Sequence, residues 1–227
     1  SKRVKVIVVD TTDGQRPKPA DIEAFKKAAK KFAESLKAHP LTGETLPKFG
    51  TNILANVVNE AGAYPTRNFK DGQFEGTEAI SGERQHDTIE ERKGVNTHAC
   101  HRGCTIRCSR IYHDENGEYL TKGPEYETIW AHGANCGIDD LDAIAKMDRM
   151  DDDFGLDTIE TGATIGVAME AGVIQFGDAQ GALELLEEVG KGTAIGRLIA
   201  SGADVLGKAY GVSRIPTVKG QAMPAYD

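Results

Sequence analysis

Residues 98–108 have the sequence HACHRGCTIRC, which holds three of the chain's four cysteines. Cys100, Cys104 and Cys108 have the spacing C-x3-C-x3-C. Clustered thiolates are typical ligands of zinc or of an iron–sulfur cluster, and both centres usually take four ligands. Alternatively, the three cysteines share one face of a helix, where they would be open to oxidation without a metal. The fourth cysteine, Cys136, can be an ordinary buried thiol.

The length and composition limit the possible number of domains, binding partners and cellular location. A chain of 227 residues can form one large domain or two small ones. Its net charge of −8 argues against binding to nucleic acid or to anionic membranes. No apolar run approaches the roughly 20 residues that cross a bilayer, and the N-terminal run is too short for a signal peptide. We therefore expect a cytoplasmic location, where clustered cysteines favour metal over disulfides.

The expected fold class is mainly α, a multi-helical domain with one N-terminal strand left over from a preceding β domain. Residues 4–9 are almost all β-branched and predict that buried strand, whose sheet we expect outside this chain. Helices are predicted from about Ile22 to an end at His39-Pro40, over 51–62, from Asp139 or Asp140, and from Asp157. A further helix is predicted over 179–189, ended by Gly190, and two short ones end near Gly202 and Gly211. Residues 63–97 suggest a long surface connection with one short helix near 89–92, residues 113–118 a turn between extended pieces, and residues 213–227 an irregular tail.

One predicted helix carries Gly162 and Gly166 four residues apart on one face. Glycine costs about 1 kcal/mol in a helix interior. The pair therefore predicts unusually close packing against a neighbouring element. Asp157 and Glu160 have capping-box spacing at the start of the same helix.

Residues 123–135, GPEYETIWAHGAN, hold two carboxylates, the only tryptophan and a histidine. Glu125 and Glu127 are too close in sequence to face each other on one helix. A carboxylate in a partly apolar site can have a raised pKa and act as a general acid or base. The simpler interpretation, favoured by these residues alone, is a helix entry where acidic side chains suit the N-terminal dipole.

Residues 151–158, DDDFGLDT, combine carboxylates with a glycine suited to a sharp turn. Carboxylates there can accept hydrogen bonds from the N–H groups of a ligand ring. The simpler interpretation, again favoured by the residues alone, makes Asp157 a helix N-cap and leaves the other acids solvated. The missing EF-hand spacing and terminal glutamate argue against a calcium loop.

Taken in order, these segments resemble the tungsten-containing aldehyde ferredoxin oxidoreductase family. The matching segments are LPKFGT (46–51), the cysteine segment, GPEYETIWAHGAN (123–135), D-x-x-G-L-D-T (152–158) and PAYD (224–227). The family has an N-terminal β domain beneath a bis-pterin tungsten cofactor, followed by two helical domains. The resemblance therefore implies that residues 1–12 are the last strand of that N-terminal cofactor-binding domain and residues 13–227 the helical middle domain.

By this resemblance, Cys100, Cys104 and Cys108 are three ligands of a [4Fe–4S] cluster, and the fourth lies in the third domain, beyond Asp227. The family spacing is C-x2-C-x3-C, so Cys104 and Cys108 match while His101 stands at the remaining position. We favour Cys100 over His101 because a thiolate suits iron–sulfur chemistry better than imidazole.

The resemblance assigns roles to the other segments. Asp152 and Asp157 would hold the amino-pyrimidine edge of one pterin, with Thr158 beside them and Gly155 and Leu156 inside the motif. Glu127 would lie near the metal as a general acid or base. Lys146 and Arg149 stand where some members have an iron-binding E-x-x-H pattern, so we expect no such second iron site.

The implied reaction is oxidation of an aldehyde to a carboxylate at a tungsten or molybdenum bis-pterin centre. Electrons would pass through the cluster to ferredoxin, and a magnesium ion is a further candidate cofactor. This chain alone would be an incomplete, inactive portion. Two alternatives stay open: an iron–sulfur electron-transfer module without its own active site, and a zinc-stabilised structural domain. Iron and sulfide without tungsten, molybdenum or pterin would favour the first, and stoichiometric zinc the second.

Overall fold

The computed structural model describes residues 6–15 and 17–226. Helices dominate these residues and the strands are short, so the mainly-α prediction is confirmed. The α-helices are α1 (Ile22–Ala38), α2 (Leu46–Phe49), α3 (Leu54–Glu60), α4 (Gly82–Glu91), α5 (Tyr126–His132), α6 (Leu141–Phe154), α7 (Thr158–Glu170), α8 (Ala179–Lys191), α9 (Ala194–Ile199) and α10 (Ala203–Tyr210). The strands are β1 (Val95–His98), β2 (Ser109–His113), β3 (Tyr119–Thr121), β4 (Thr217–Val218) and β5 (Gln221–Ala222). Short 3-10 helices cover Thr51–Ile53, Thr77–Ile80 and Ala134–Cys136, and a π-helical turn covers Leu41–Thr45.

The N-terminal region lies largely in solvent. Val4 and Lys5 of the predicted strand are outside the described residues, and Val6 to Val9 form no strand, with exposed fractions of 74% to 83%. α1 begins after Asp21, whose Oδ1 accepts hydrogen bonds from the backbone N–H groups of Glu23 and Ala24. The predicted amphipathic helix is therefore present, but none of its described residues is buried.

A small antiparallel sheet of order β1-β2-β3 follows α4. The predicted turn at residues 113–118 joins β2 to β3, and the Asp114 N–H donates to the Glu118 carbonyl across it. The cysteine segment connects β1 to β2. α4 is longer than the helix predicted near 89–92, because Ser81 caps it by accepting a hydrogen bond from the Arg84 N–H.

The largest core cluster surrounds α5 and its contact with α7. Trp130 is fully buried there and donates its indole N–H to the Pro65 carbonyl at 2.7 Å. The predicted close packing is confirmed: a Cβ on Gly162 would lie 2.5 Å from the Ala131 carbonyl carbon, and one on Gly166 would lie 2.6 Å from Asn135 Nδ2. The two glycines thus let the α5 region approach the backbone of α7.

Several predicted boundaries need correction. α8 continues through Gly190 and ends at Lys191, because it is Gly192 that adopts the left-handed conformation. Glu160 does not complete a capping box: its carboxylate accepts hydrogen bonds from the N–H groups of Ala203 and Ala222 instead. The tail predicted as irregular contains the β4–β5 hairpin. Among the described residues, no helix has both the length and the apolar character to cross a membrane.

Candidate cofactor site

The cysteine segment is a loop, so the alternative with three cysteines along one helix face is wrong. The Cys104 N–H donates to the His101 carbonyl at 3.2 Å, and Gly103 between them has φ of 89°. Only a residue tolerant of positive φ fits this position easily. The turn folds the loop back on itself, so that the Arg107 N–H approaches Cys104 Sγ at 3.4 Å.

The turn brings donor atoms together. One ligand atom each from Cys100, His101 and Cys104 lie within 4.8 Å of one another. The Arg107 N–H lowers the pKa of Cys104, whereas burial and the nearby Glu125 charge raise that of Cys108. Both Cys100 and His101 are next to Cys104, so the choice between them stays a prediction. A partly open loop rich in thiols fits the donor chemistry of an iron–sulfur cluster.

Cys136 has a different environment. It is fully buried, and its thiol donates weakly to the carbonyls of Ala131 and Gly162 at 3.3 and 3.4 Å. Burial raises its pKa strongly. The ordinary interpretation of this residue, a buried core thiol, agrees with this packing.

Glu125 connects the cysteine loop to α5. It stands immediately before the helix, and its carboxylate accepts hydrogen bonds from Thr51 Oγ1 at 2.6 Å and from Ser109 Oγ at 3.3 Å. Thr51 Oγ1 in turn accepts from the Tyr126 N–H at 3.0 Å. Since Ser109 follows Cys108 directly, the start of α5 is fixed to the end of the cysteine loop.

Glu127 lies in the first turn of α5 and is half-buried. Its Oε2 accepts a hydrogen bond from the Ala225 N–H at 3.0 Å, which ties the PAYD segment to this helix. Three tyrosines, Tyr64, Tyr126 and Tyr226, have pKa values raised mainly by burial and further by the Glu127 charge. Glu127 therefore lies beside three tyrosines, of which Tyr64 and Tyr126 are buried and Tyr226 is exposed.

The DDDFGLDT segment covers the last turn of α6, the turn at residues 155–157 and the first residue of α7. Gly155 ends α6 in the left-handed conformation with φ of 69°. Asp157 caps α7, since its Oδ1 accepts from the Glu160 N–H at 2.9 Å, while Asp152 and Asp157 both remain exposed. Thr158 Oγ1 lies 2.8 Å from Thr128 Oγ1 in a hydrogen bond that joins α7 to α5. A cavity of about 100 Å³ lies beside Asp157, between α7 and the β4–β5 hairpin.

The sequence did not predict the buried polar cluster of His132, Asp148 and Asp151. His132 Nε2 and Asp151 Oδ2 are 2.8 Å apart, and both side chains are fully buried. Asp148, one turn earlier on α6, accepts a hydrogen bond from Thr121 Oγ1 at 2.6 Å, and burial raises its pKa to about 6. The cluster joins α5 to α6.

Arg110 is the other site residue that sequence reasoning missed. Its side chain is fully buried, and burial lowers its pKa to about 10. A charged residue two positions after a cysteine gives no signal of burial. The two glycines that make room for it, Gly50 and Gly123, lie in other segments.

A family model matches residues 27–227, and its description is "Aldehyde ferredoxin oxidoreductase, domains 2 & 3". The chain belongs to the aldehyde ferredoxin oxidoreductase family. The segments on which the resemblance rested all lie within or beside the matched range, and four of them meet around α5.

Relatives within the aldehyde ferredoxin oxidoreductase family agree. The chain is 36% identical over 245 residues to a tungsten-containing aldehyde ferredoxin oxidoreductase of Pyrococcus abyssi, and 37% identical over 244 residues to one of Pyrococcus furiosus. Both alignments cover 100% of this chain and 39% of the relative. An aliphatic sulfonate oxidoreductase, WOR-like subunit, of Pyrococcus furiosus is 25% identical over 89% of this chain. The chain thus spans about two-fifths of the length of the aldehyde ferredoxin oxidoreductases it matches.

Proposed function

We propose that this chain is part of an oxidoreductase that converts an aldehyde to a carboxylate at a tungsten or molybdenum bis-pterin centre. Electrons leave through a [4Fe–4S] cluster to ferredoxin. The single observation that carries this proposal is the position of α5. Glu125, immediately before α5, accepts a hydrogen bond from Ser109 at the end of the cysteine loop. Thr128 of α5 forms a hydrogen bond with Thr158 of the DDDFGLDT segment.

In this proposal Cys100, Cys104 and Cys108 hold the cluster, with a fourth ligand from outside the chain. The Arg107 N–H beside Cys104 supports it, because backbone donors stabilise thiolate sulfur. When bound, the metal–pterin group supplies the two-electron redox centre and the cluster carries the electrons away. A magnesium ion would accompany the pterins.

Asp152 and Asp157 serve as acceptors for paired N–H groups of a pterin ring. Their exposure supports this role, since the cap of α7 occupies only Oδ1 of Asp157. Gly155 sets the turn, Leu156 packs against the core beside it, and Thr158 fixes the turn to α5. Two carboxylates held by the end of α6 and the start of α7 can give directional recognition of paired N–H groups.

Glu127 holds the proton that moves when water adds to the aldehyde carbon. The Ala225 N–H fixes Oε2, so the carboxylate keeps one orientation during proton transfer. Glu127 is half-buried beside the buried Tyr126, so part of its surface is shielded from bulk water.

The test is anaerobic purification of the longest polypeptide that carries this chain, followed by metal and pterin analysis and dye-linked oxidation of a panel of aldehydes. Glu127→Gln should keep metals, cluster and pterin while aldehyde oxidation falls at least about 100-fold. Glu23→Gln is the matched control, because Glu23 is also a first-turn acid, but exposed on α1. Undiminished oxidation by Glu127→Gln would refute the assigned role.

The convergence of Cys100, His101 and Cys104 specifically favours one other candidate, a zinc-stabilised structural domain. Two sulfurs and one nitrogen in one loop are a common zinc ligand set. Stoichiometric zinc, no iron and no broad visible absorption in the anaerobic protein would support this candidate instead.

A further inference from the structure

We propose that Arg110 is a positioning residue whose buried positive charge raises the reduction potential of the cluster held by the cysteine loop. The inference rests on the proposed function, because it takes the cluster as given. It starts from the location of Arg110, which lies two residues after Cys108 on β2.

The guanidinium of Arg110 is buried without a full set of acceptors. Its Nη1 donates to the Pro47 carbonyl at 3.3 Å, whereas Nε and Nη2 have no hydrogen-bond partner in the part of the chain that the structure describes. Burying an unpaired charge costs several kcal/mol unless another charge compensates it. We therefore expect a negatively charged group near the Arg110 guanidinium that compensates its charge.

Two glycines leave the space that the Arg110 side chain occupies. A Cβ on Gly50 would lie 2.8 Å from Arg110 Nη2, and one on Gly123 would lie 2.2 Å from Arg110 Cβ. Either substitution would displace the arginine. Gly50 also has φ of 66°, a conformation that other residues adopt rarely.

Two groups can carry a negative charge near Arg110: the Glu125 carboxylate, and the Cys108 sulfur once it is a thiolate ligand of the cluster. Glu125 and Cys108 both interact electrostatically with Arg110. The Glu125 oxygens, however, accept hydrogen bonds from Thr51 and Ser109, not from the guanidinium. Among residues 6–15 and 17–226, Arg110 therefore has no ion-pair partner, and its field acts across a poorly solvated interior on the sulfur of Cys108.

The direction of the effect follows from charge. A cluster gains one negative charge on reduction, so a nearby positive charge stabilises the reduced state and raises the potential. Glu125 acts in the opposite sense on the same sulfur, because its negative charge disfavours additional negative charge there. The two residues set the potential between them.

Arg107 supplies a matched comparison. It flanks Cys108 on the other side and carries the same charge, but it is exposed, so water screens it. Its left-handed conformation, with φ of 59°, is as strained for glutamine as for arginine. The Arg107 N–H to Cys104 Sγ contact uses the backbone and survives the substitution.

The experiment is an anaerobic redox titration of the cluster, monitored by electron paramagnetic resonance, in the longest polypeptide that carries this chain. In Arg110→Met, the ratio of reduced to oxidised cluster at a fixed applied potential should fall at least tenfold, which is 59 mV for one electron. Arg107→Gln should change that ratio less than about threefold. Glu125→Gln should raise the ratio, and Arg110→Lys should stay closer to the parent than Arg110→Met.

Equal shifts in Arg110→Met and Arg107→Gln, or no shift in Arg110→Met, would overturn the inference while leaving the cluster assignment intact. If Arg110→Met does not retain its cluster, the reduction potential of the cluster in Glu125→Gln becomes the test. A potential in Glu125→Gln that is not higher than in the parent would then overturn the inference. A parent protein without any iron–sulfur signal would overturn both this inference and the proposed function.

Discussion

Gly162→Ala tests the close approach of α5 and α7 on which the candidate site depends. The new Cβ would lie 2.5 Å from the Ala131 carbonyl carbon, so the helices must separate by about 0.9 Å to reach an ordinary contact of 3.4 Å. The same separation would stretch the 2.8 Å hydrogen bond between Thr128 and Thr158 beyond 3.5 Å.

The magnitude follows from three contributions. Overpacking costs about 1–3 kcal/mol, and loss of the threonine hydrogen bond costs about 0.5–1.5 kcal/mol. Alanine in place of glycine inside a helix returns about 1 kcal/mol. We therefore expect Gly162→Ala to lower the free energy of unfolding by about 0.5–3.5 kcal/mol.

The assay is urea unfolding of the 227-residue chain, followed by fluorescence of Trp130, its only tryptophan. Gly190→Ala is the matched control: the atoms nearest to its Cβ belong to the ring of Phe154, a side chain that is 40% exposed and can move. That control should be neutral or more stable by up to about 1 kcal/mol. A Gly162→Ala variant as stable as Gly190→Ala would refute the packing argument.

Three further predictions concern the buried groups. Asp151→Ala should lower the free energy of unfolding in urea by about 3–5 kcal/mol, because it leaves the buried His132 without its partner. The control Asp153→Ala removes an exposed ion pair with Arg149 and should cost less than about 1 kcal/mol. Asp148 has a folded pKa of about 6 against 3.8 unfolded, so the folded state binds more protons and the stability that this group contributes falls between about pH 4 and 6. The free energy of unfolding of Asp148→Asn minus that of the parent should therefore increase by about 1–3 kcal/mol between about pH 4 and 6 and then stay constant. A difference that does not change with pH would contradict the raised pKa of Asp148. In metal-free protein a thiol reagent should modify Cys100 and Cys104 rapidly and Cys136 only after unfolding, as counted by mass spectrometry, and early modification of Cys136 would disprove its burial.

The sequence predicted the elements whose signals are local. Asp140 and Asp157 cap helices as expected, since capping depends on residues a few positions apart. Gly162 and Gly166 predicted a close contact correctly, although they did not identify its partner. The end of α8 was misplaced because Gly190 and Gly192 both suit a helix end, and only the backbone conformation distinguishes them.

The interactions that assemble the site were not predictable because they join distant segments. Thr51 meets Glu125 across 74 positions, and Thr128 meets Thr158 across 30. The burial of Arg110 depends on glycines in two other segments. The motifs identified the cysteine loop, Glu127 and the DDDFGLDT turn, whereas α5 as their common support emerged only from the fold.

The measurement closest to the central claim is the metal content of the anaerobically purified protein, with Cys104→Ser prepared in parallel. We predict iron and acid-labile sulfide in equal amounts together with tungsten or molybdenum and pterin, and loss of the iron–sulfur signal in Cys104→Ser. Zinc without iron or sulfide in the parent, or an iron–sulfur signal that Cys104→Ser leaves unchanged, would contradict the account.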